Sequence, residues 1–340
     1  MKTNMKIYPE NCMILAPLAG YTDLPYRSSA IRHGCTHAFT EMIDAGSLAY
    51  GHKKTFSMLR RGKTEKWLGV QIVGSDHATL RKAVEIINRS DVDVLDFNLG
   101  CPARKVVKKG EGAALAKKTE DAIRAFEILV KNSKFPVTAK TRILDETDPE
   151  PTVNLVRRLV DAGAAAVTLH GRIMSKIYSG EVGFAAISEV RKRIDKQIIA
   201  NGGVFRYSDS EILRKETGCD CIMIARGAMG NPWIFEEIRD GAAFVPPTPD
   251  ELASEIELHL KDMIECYGEE LGMRISRKII FDYLRGRGYS GELKNAVCNV
   301  KTLEELNPRL EEIRRGPGPR YAKWLESNPD APRRLRVGSW

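Results

Sequence analysis

The sequence has no uninterrupted apolar run long enough to span a bilayer, so a helical membrane protein is not expected. Its start, MKTNMKIYPENC, lacks the apolar core of a secretory signal. Cysteine pairing is missing too. The seven cysteines (Cys12, Cys35, Cys101, Cys219, Cys221, Cys266 and Cys298) are odd in number and irregularly spaced. Only Cys219 and Cys221 stand close, and no second pair completes a zinc-finger spacing. Reduced thiols in a cytoplasmic protein without a metal are therefore expected. No nucleophile stands beside a matching base, which argues against acyl transfer. Strong charge of one sign is absent as well. Lys and Arg total 53 against 45 Asp and Glu, and a net charge of +8 permits a nucleic-acid partner without requiring one.

What is there is alternation. Apolar strand candidates begin at Cys12, Thr36, Trp67, Val92, Phe135, Ala165, Gln197 and Cys221, and most are separated by amphipathic helices. Ser75 or Asp76 is a candidate cap for the helix that runs to about Arg89. Eight continuously apolar strands within about 240 residues predict an α/β fold, an eightfold β/α (TIM) barrel. A doubly wound open sheet is the alternative. It places its glycine-rich loop after the first strand, whereas here the Gly pairs follow the last strands. The expected layout is a barrel over 1–240, a linker at 241–250 marked by Pro246, Pro247 and Pro249, a small helical domain over 251–313, and a basic tail over 314–340. That tail holds seven Lys/Arg against two Asp/Glu, with Tyr321, Trp324 and Trp340 interleaved, a composition suited to stacking on bases.

Polar residues collect at strand C-termini: Gln71, Asn98, Cys101, Lys140, His170, Arg172, Asn201 and Arg226. In a barrel those ends meet at one face, where active sites are built. Asn201-Gly202-Gly203 and Ala225-Arg226-Gly227 suit a phosphate held by backbone N–H groups. Pro17, Leu18 and Ala19 offer small apolar atoms beside a planar ring. Gln71 and Lys140 can hydrogen-bond a ring edge, Lys140 stabilising negative charge there. His170 and Arg172 are candidate phosphate contacts. Cys101 sits in a loop directly before Arg104, Lys105, Lys108 and Lys109, which suggests chemistry on a polyanion. A thiol of ordinary pKa, about 8.5, is mostly protonated at neutral pH and can act as an acid.

In its motifs the chain resembles the tRNA-dihydrouridine synthases, an FMN-dependent family. They are APLAGYTDLPYR (16–27), QIVGS (71–75), DFNLGCPARKVVKKGEGAAL (96–115), PVTAKTR (136–142), VTLHGR (167–172), YSG (178–180), IIANGGV (198–204), CIMIARGAMGNPWIF (221–235) and RKIIFDYLRG (277–286). The resemblance implies a barrel that binds FMN and a helical domain that binds tRNA. It implies NADPH, or NADH, as electron donor, and reduction of the uridine C5–C6 double bond with Cys101 protonating C5. FMN contacts would carry over to Pro17, Leu18, Ala19, Gln71, Lys140, His170, Asn201, Gly202, Gly203, Ala225 and Arg226. Asn98 and Arg172 would face the uracil or nearby phosphates, and Arg104 and Lys105 the surrounding RNA. Leu18 stands where the family usually has methionine, Gly203 where an acid is common, and Ala225 where glycine is usual. The rival readings are an FMN barrel acting on a free small molecule, and a non-catalytic RNA-binding protein on the same scaffold. A monomer is expected.

Overall fold

Eight parallel strands close on themselves in the computed structural model, which describes residues 6–327. They are β1 (Met13–Leu15), β2 (His37–Asp44), β3 (Leu68–Val73), β4 (Val94–Leu99), β5 (Val137–Arg142), β6 (Ala166–His170), β7 (Gln197–Asn201) and β8 (Ile222–Ile224). Each pairs with the next, and β8 returns to β1 through Met13↔Ile222 and Leu15↔Ile224. The fold is the eightfold β/α barrel, and the open sheet is excluded.

The strands are short and almost wholly buried, as parallel strands covered on both faces must be. Their interior is packed, not hollow. Tyr8, Ile14, Ala16, Phe39, Val94, Ala166, Ile199, Cys221 and Met223 form one cluster. Gly69 belongs to this packing: a Cβ there would lie 2.3 Å from the Phe39 ring. Asp76, rather than Ser75, caps the helix His77–Ile87, accepting from Thr79 N at 2.8 Å.

By its contacts the chain divides into two compact units. The barrel unit takes the described residues up to 225, except 24–35 and 205–207, which count with the second unit together with the described residues from 226 on. The change of unit thus falls at 225–226 instead of near 240.

The second unit is helical: Leu24–Arg32, Ile234–Asp240, Pro249–Tyr267, Glu269–Leu284, Gly291–Asn299, Leu303–Arg314 and Pro319–Ser327. Thr248 and Glu251 form a capping box at the start of the longest. Inside this unit Glu255 accepts from Ser29 Oγ at 2.7 Å and from Arg32 Nη2 at 2.8 Å, with His33 Nε2 at 3.2 Å. Burial alone would raise this carboxyl. Hydrogen bonds from His33, Arg32 and Ser29 and the Arg32 charge hold it down at about 2. Nearby, burial pushes His259 down to about 4.

Part of the expected tail is structure. Arg314 closes a helix and is paired with Asp250 at 2.7 Å and Glu257 at 3.3 Å. The Tyr321 hydroxyl donates to the Gly286 carbonyl, and its ring stands 5.3 Å from that of Trp324. Trp340 and Arg333, Arg334 and Arg336 lie outside the described residues.

Candidate active site

Period-two alternation puts Asp96 and Asn98 of β4, and Thr138, Lys140 and Arg142 of β5, on the same faces of adjacent strands. Register sets Asn98 against Lys140, Arg142 against His170, and His170 against Asn201. Five polar residues scattered over about a hundred positions thereby become neighbours along one end of the barrel.

Their side chains form two linked sets. Asn98 Nδ2 donates to Gln71 Oε1 at 2.7 Å, and Gln71 Nε2 donates to Asp96 Oδ2 at 2.7 Å. Thr138 Oγ1 donates to the other Asp96 oxygen at 2.6 Å. Asn98 Oδ1 turns the other way and accepts from the backbone N–H of Gly100 at 3.1 Å and of Cys101 at 2.9 Å. Across the barrel Lys140 Nζ donates to Asn201 Oδ1 at 2.9 Å, while Asn201 Nδ2 donates to Met223 O at 2.7 Å. Burial, reinforced by the Arg142 charge, pushes the Lys140 ammonium down to about 8. Burial pushes the Asp96 carboxyl up to about 6, against its hydrogen bonds and the Lys140 charge.

The loop after β4 is tied at several points. Arg142 Nε donates to Gly100 O at 2.8 Å, and Ala113 N donates to Cys101 O at 3.1 Å. Gly112 has φ +59°, and a Cβ there would lie 2.8 Å from Cys101 O, so only glycine fits beside the thiol-bearing residue. Cys101 is half-buried and free. At the end of β7, Gly202 (φ +127°) and Gly203 (φ +77°) bring bare backbone up to His170. A Cβ on Gly202 would lie 3.0 Å from the imidazole Cδ2.

A family model described as Dihydrouridine synthase (Dus) matches residues 14–315. The chain belongs to the dihydrouridine synthase family. A protein of Vibrio vulnificus (strain CMCP6) named tRNA-dihydrouridine synthase B is 32% identical over 312 residues, covering 89% of this chain and 97% of that one. One of the same name from Proteus vulgaris is 32% identical over 311 residues, covering 89% and 94%. A solved structure of mandelate oxidase with benzoyl-formic acid aligns at 16% identity and TM-score 0.43 over 67% of this chain and 72% of that one, too loose a likeness to bear on function.

Among the residues expected to form the synthase site, Gln71, Asn98 and the Cys101 loop are joined directly, as are Lys140 and Asn201. His170 lies between Arg142 and Asn201 in register. Leu18 and Ala225 pack against the barrel's interior cluster. Pro17 and Ala19 flank Leu18, whose N–H donates to Thr22 Oγ1 at 2.9 Å. Arg172 is engaged within its own loop. Its Nε and Nη2 donate to the carbonyls of Ser179 and Gly180 at 2.9–3.1 Å, holding the YSG turn and leaving Nη1 buried without a partner. Arg226 belongs to the second unit, where its guanidinium lies 5.5 Å from the Phe205 ring. Arg104 and Lys105 are exposed, in a single helical turn, Arg104–Val107, and not in a loop. Lys109 pairs with Asp44 at 2.8 Å.

Asp96, Thr138 and Arg142 were missed. The signal was present: each stands two residues from a residue that was singled out, on the same face of its strand.

Proposed function

We propose that this synthase reduces the C5–C6 double bond of a uridine in tRNA to dihydrouridine, with FMN as cofactor, NADPH or NADH as electron donor and Cys101 as the acid. The observation that carries this reading is the half-buried Cys101 thiol, held by its own backbone N–H on Asn98 beside a buried lysine-lined barrel end. The residues present fit a flavin mononucleotide. Gly202 and Gly203 form a cradle that a Cβ would fill, suited to a phosphate, with His170 beside it. Lys140, whose ammonium donates one hydrogen bond to Asn201, supplies donors for the polar edge of the ring, and Leu18 and Ala225 supply apolar surface.

A flavin held by these residues would supply the hydride for C6 of the uracil. Lys140 opposes the negative charge at the ring's polar edge. Asn98 orients the Cys101 loop. The Cys101 Sγ–H gives its proton to C5, and the resulting thiolate takes a proton back from solvent. A paired base hides its C5–C6 bond, so the target uridine leaves its stack. Arg104 and Lys105, the helical domain over 251–313 and the basic tail hold the surrounding RNA, and binding should weaken steeply with salt. Seven cysteines, none of them in a disulfide, suit a reducing, cytoplasmic setting, and a monomer is our reading.

The test is incubation of purified, flavin-loaded protein and NADPH with bulk tRNA or with free uracil, read by mass spectrometry of nucleosides. Dihydrouridine from tRNA alone supports the proposal. Reduction of free uracil at equal efficiency, or protein that stays colourless with added FMN, overturns it.

A further inference from the structure

A carboxylate is an acceptor with no proton to give, whereas a primary amide donates at one end and accepts at the other. Asp96 is 2% exposed, and among the described residues its hydrogen-bond partners are two donors, the Gln71 amide and the Thr138 hydroxyl. Its acceptor character therefore dictates which way round the buried Gln71 amide must stand: Nε2 toward Asp96, Oε1 toward Asn98. That oxygen in turn demands the Nδ2 end of Asn98, which turns Oδ1 toward the N–H groups of Gly100 and Cys101. Each amide has one satisfied orientation, set at one end by the Asp96 acceptor and at the other by the backbone N–H groups of Gly100 and Cys101.

We infer that Asp96 is a positioning residue: it anchors the inner end of a relay through Gln71 and Asn98 that holds the Cys101 loop in place. Without an acceptor at position 96 the buried Gln71 Nε2 has lost its partner, and the relay is pinned only from the loop end. A Gln71 side chain that shifts toward another acceptor pulls on Asn98 Nδ2, and the bonds from the two backbone N–H groups to Asn98 Oδ1 weaken with it. The thiol-bearing loop is loosened although no residue touching it has changed. Thr138 completes the arrangement by donating to the second oxygen, so the carboxylate is satisfied on both sides despite its burial.

The inference rests on Cys101 as the acid, but it is tested without turnover. Amide hydrogen exchange is followed by mass spectrometry across residues 98–103 of the purified full chain, with no tRNA present. In Asp96→Leu, exchange at Gly100 and Cys101 should accelerate roughly fivefold or more, as expected for losing hydrogen bonds of ordinary net strength. Alkylation of Cys101 by iodoacetamide should change with it. Asp96→Asn should restore slow exchange, because its oxygen can face Gln71 while its NH2 donates to the Thr138 hydroxyl. Should Asp96→Leu fail to fold, Gln71→Met breaks the same relay one link later and must show the same acceleration. Unchanged exchange at 100–101 in either folded variant overturns the relay. Equal acceleration in Asp96→Asn and Asp96→Leu overturns the role of acceptor polarity. Failure of the tRNA assay with the exchange pattern intact would instead reject the proposed reaction.

Discussion

Two buried carboxylates, one from each unit, are held in opposite ways. Glu255, in the helical unit, faces the cation Arg32 together with His33 and Ser29, and is held down at about 2. Asp96, in the barrel, meets only the neutral donors Gln71 and Thr138 and is pushed up to about 6. The first is an ion-paired tie between helices. The second is a polar pivot whose neighbours are amides and, further off, the depressed amine of Lys140. A direct cation keeps a buried charge fixed. Neutral donors leave it perturbed, the condition in which functional groups are usually found.

The comparison can be broken most severely at the barrel. Cys101→Ala should lose about 10²- to 10⁴-fold in turnover, the usual worth of a general acid, while keeping its yellow colour and tRNA binding. Wild-type rates in a tRNA assay would remove the proposed acid. In the helical unit Glu255→Ala should leave activity-bearing groups alone but cost about 3 kcal/mol in urea unfolding, because Arg32 and His33 lose their buried partner. A loss no larger than that of an exposed ion pair would show that the tie contributes little.

A smaller effect concerns Lys140. With its ammonium near 8, turnover should decline as pH rises through about 8 and the positive charge is lost. The descending limb should move to higher pH in Lys140→Arg, read from the pH dependence of kcat/KM. The smallest effect is on local stability in acid. His259 is lowered from 6.5 to about 4, so the unfolded chain takes up the proton first, and the helical unit should weaken as pH falls from 6.5 toward 4. Asp96 is raised from 3.8 to about 6, so the folded barrel takes up the proton first and gains stability as pH falls from 6 toward 4. Hydrogen exchange at pH 7 and pH 4.5, corrected for intrinsic rates, should show these opposite trends in peptides around His259 and Asp96. Matching trends would show that other groups govern both units.

Much of the architecture could be read from pattern alone. Continuous apolar strands alternating with helices are what burial on both faces of a parallel sheet requires, and all eight lie where their apolar runs stand. The ends were less legible. β4 and β5 extend through Leu99 and Arg142, because Asn98, Lys140 and Arg142 satisfy their polar groups inward, something apolar periodicity does not register. Arg172 and Arg314 look alike in a list of basic residues. One holds a turn, and the other pairs with Asp250 and Glu257.

The sequence by itself determined the strand count, the barrel, and the presence of a thiol, an amide and a lysine at strand ends, since these follow from short-range period and composition. Only the tertiary structure decided that Gln71 meets Asp96, that Asn98 meets Gln71, and that Lys140 reaches Asn201. Those links depend on which strands become neighbours, at which register, and on which end of each amide a buried acceptor demands.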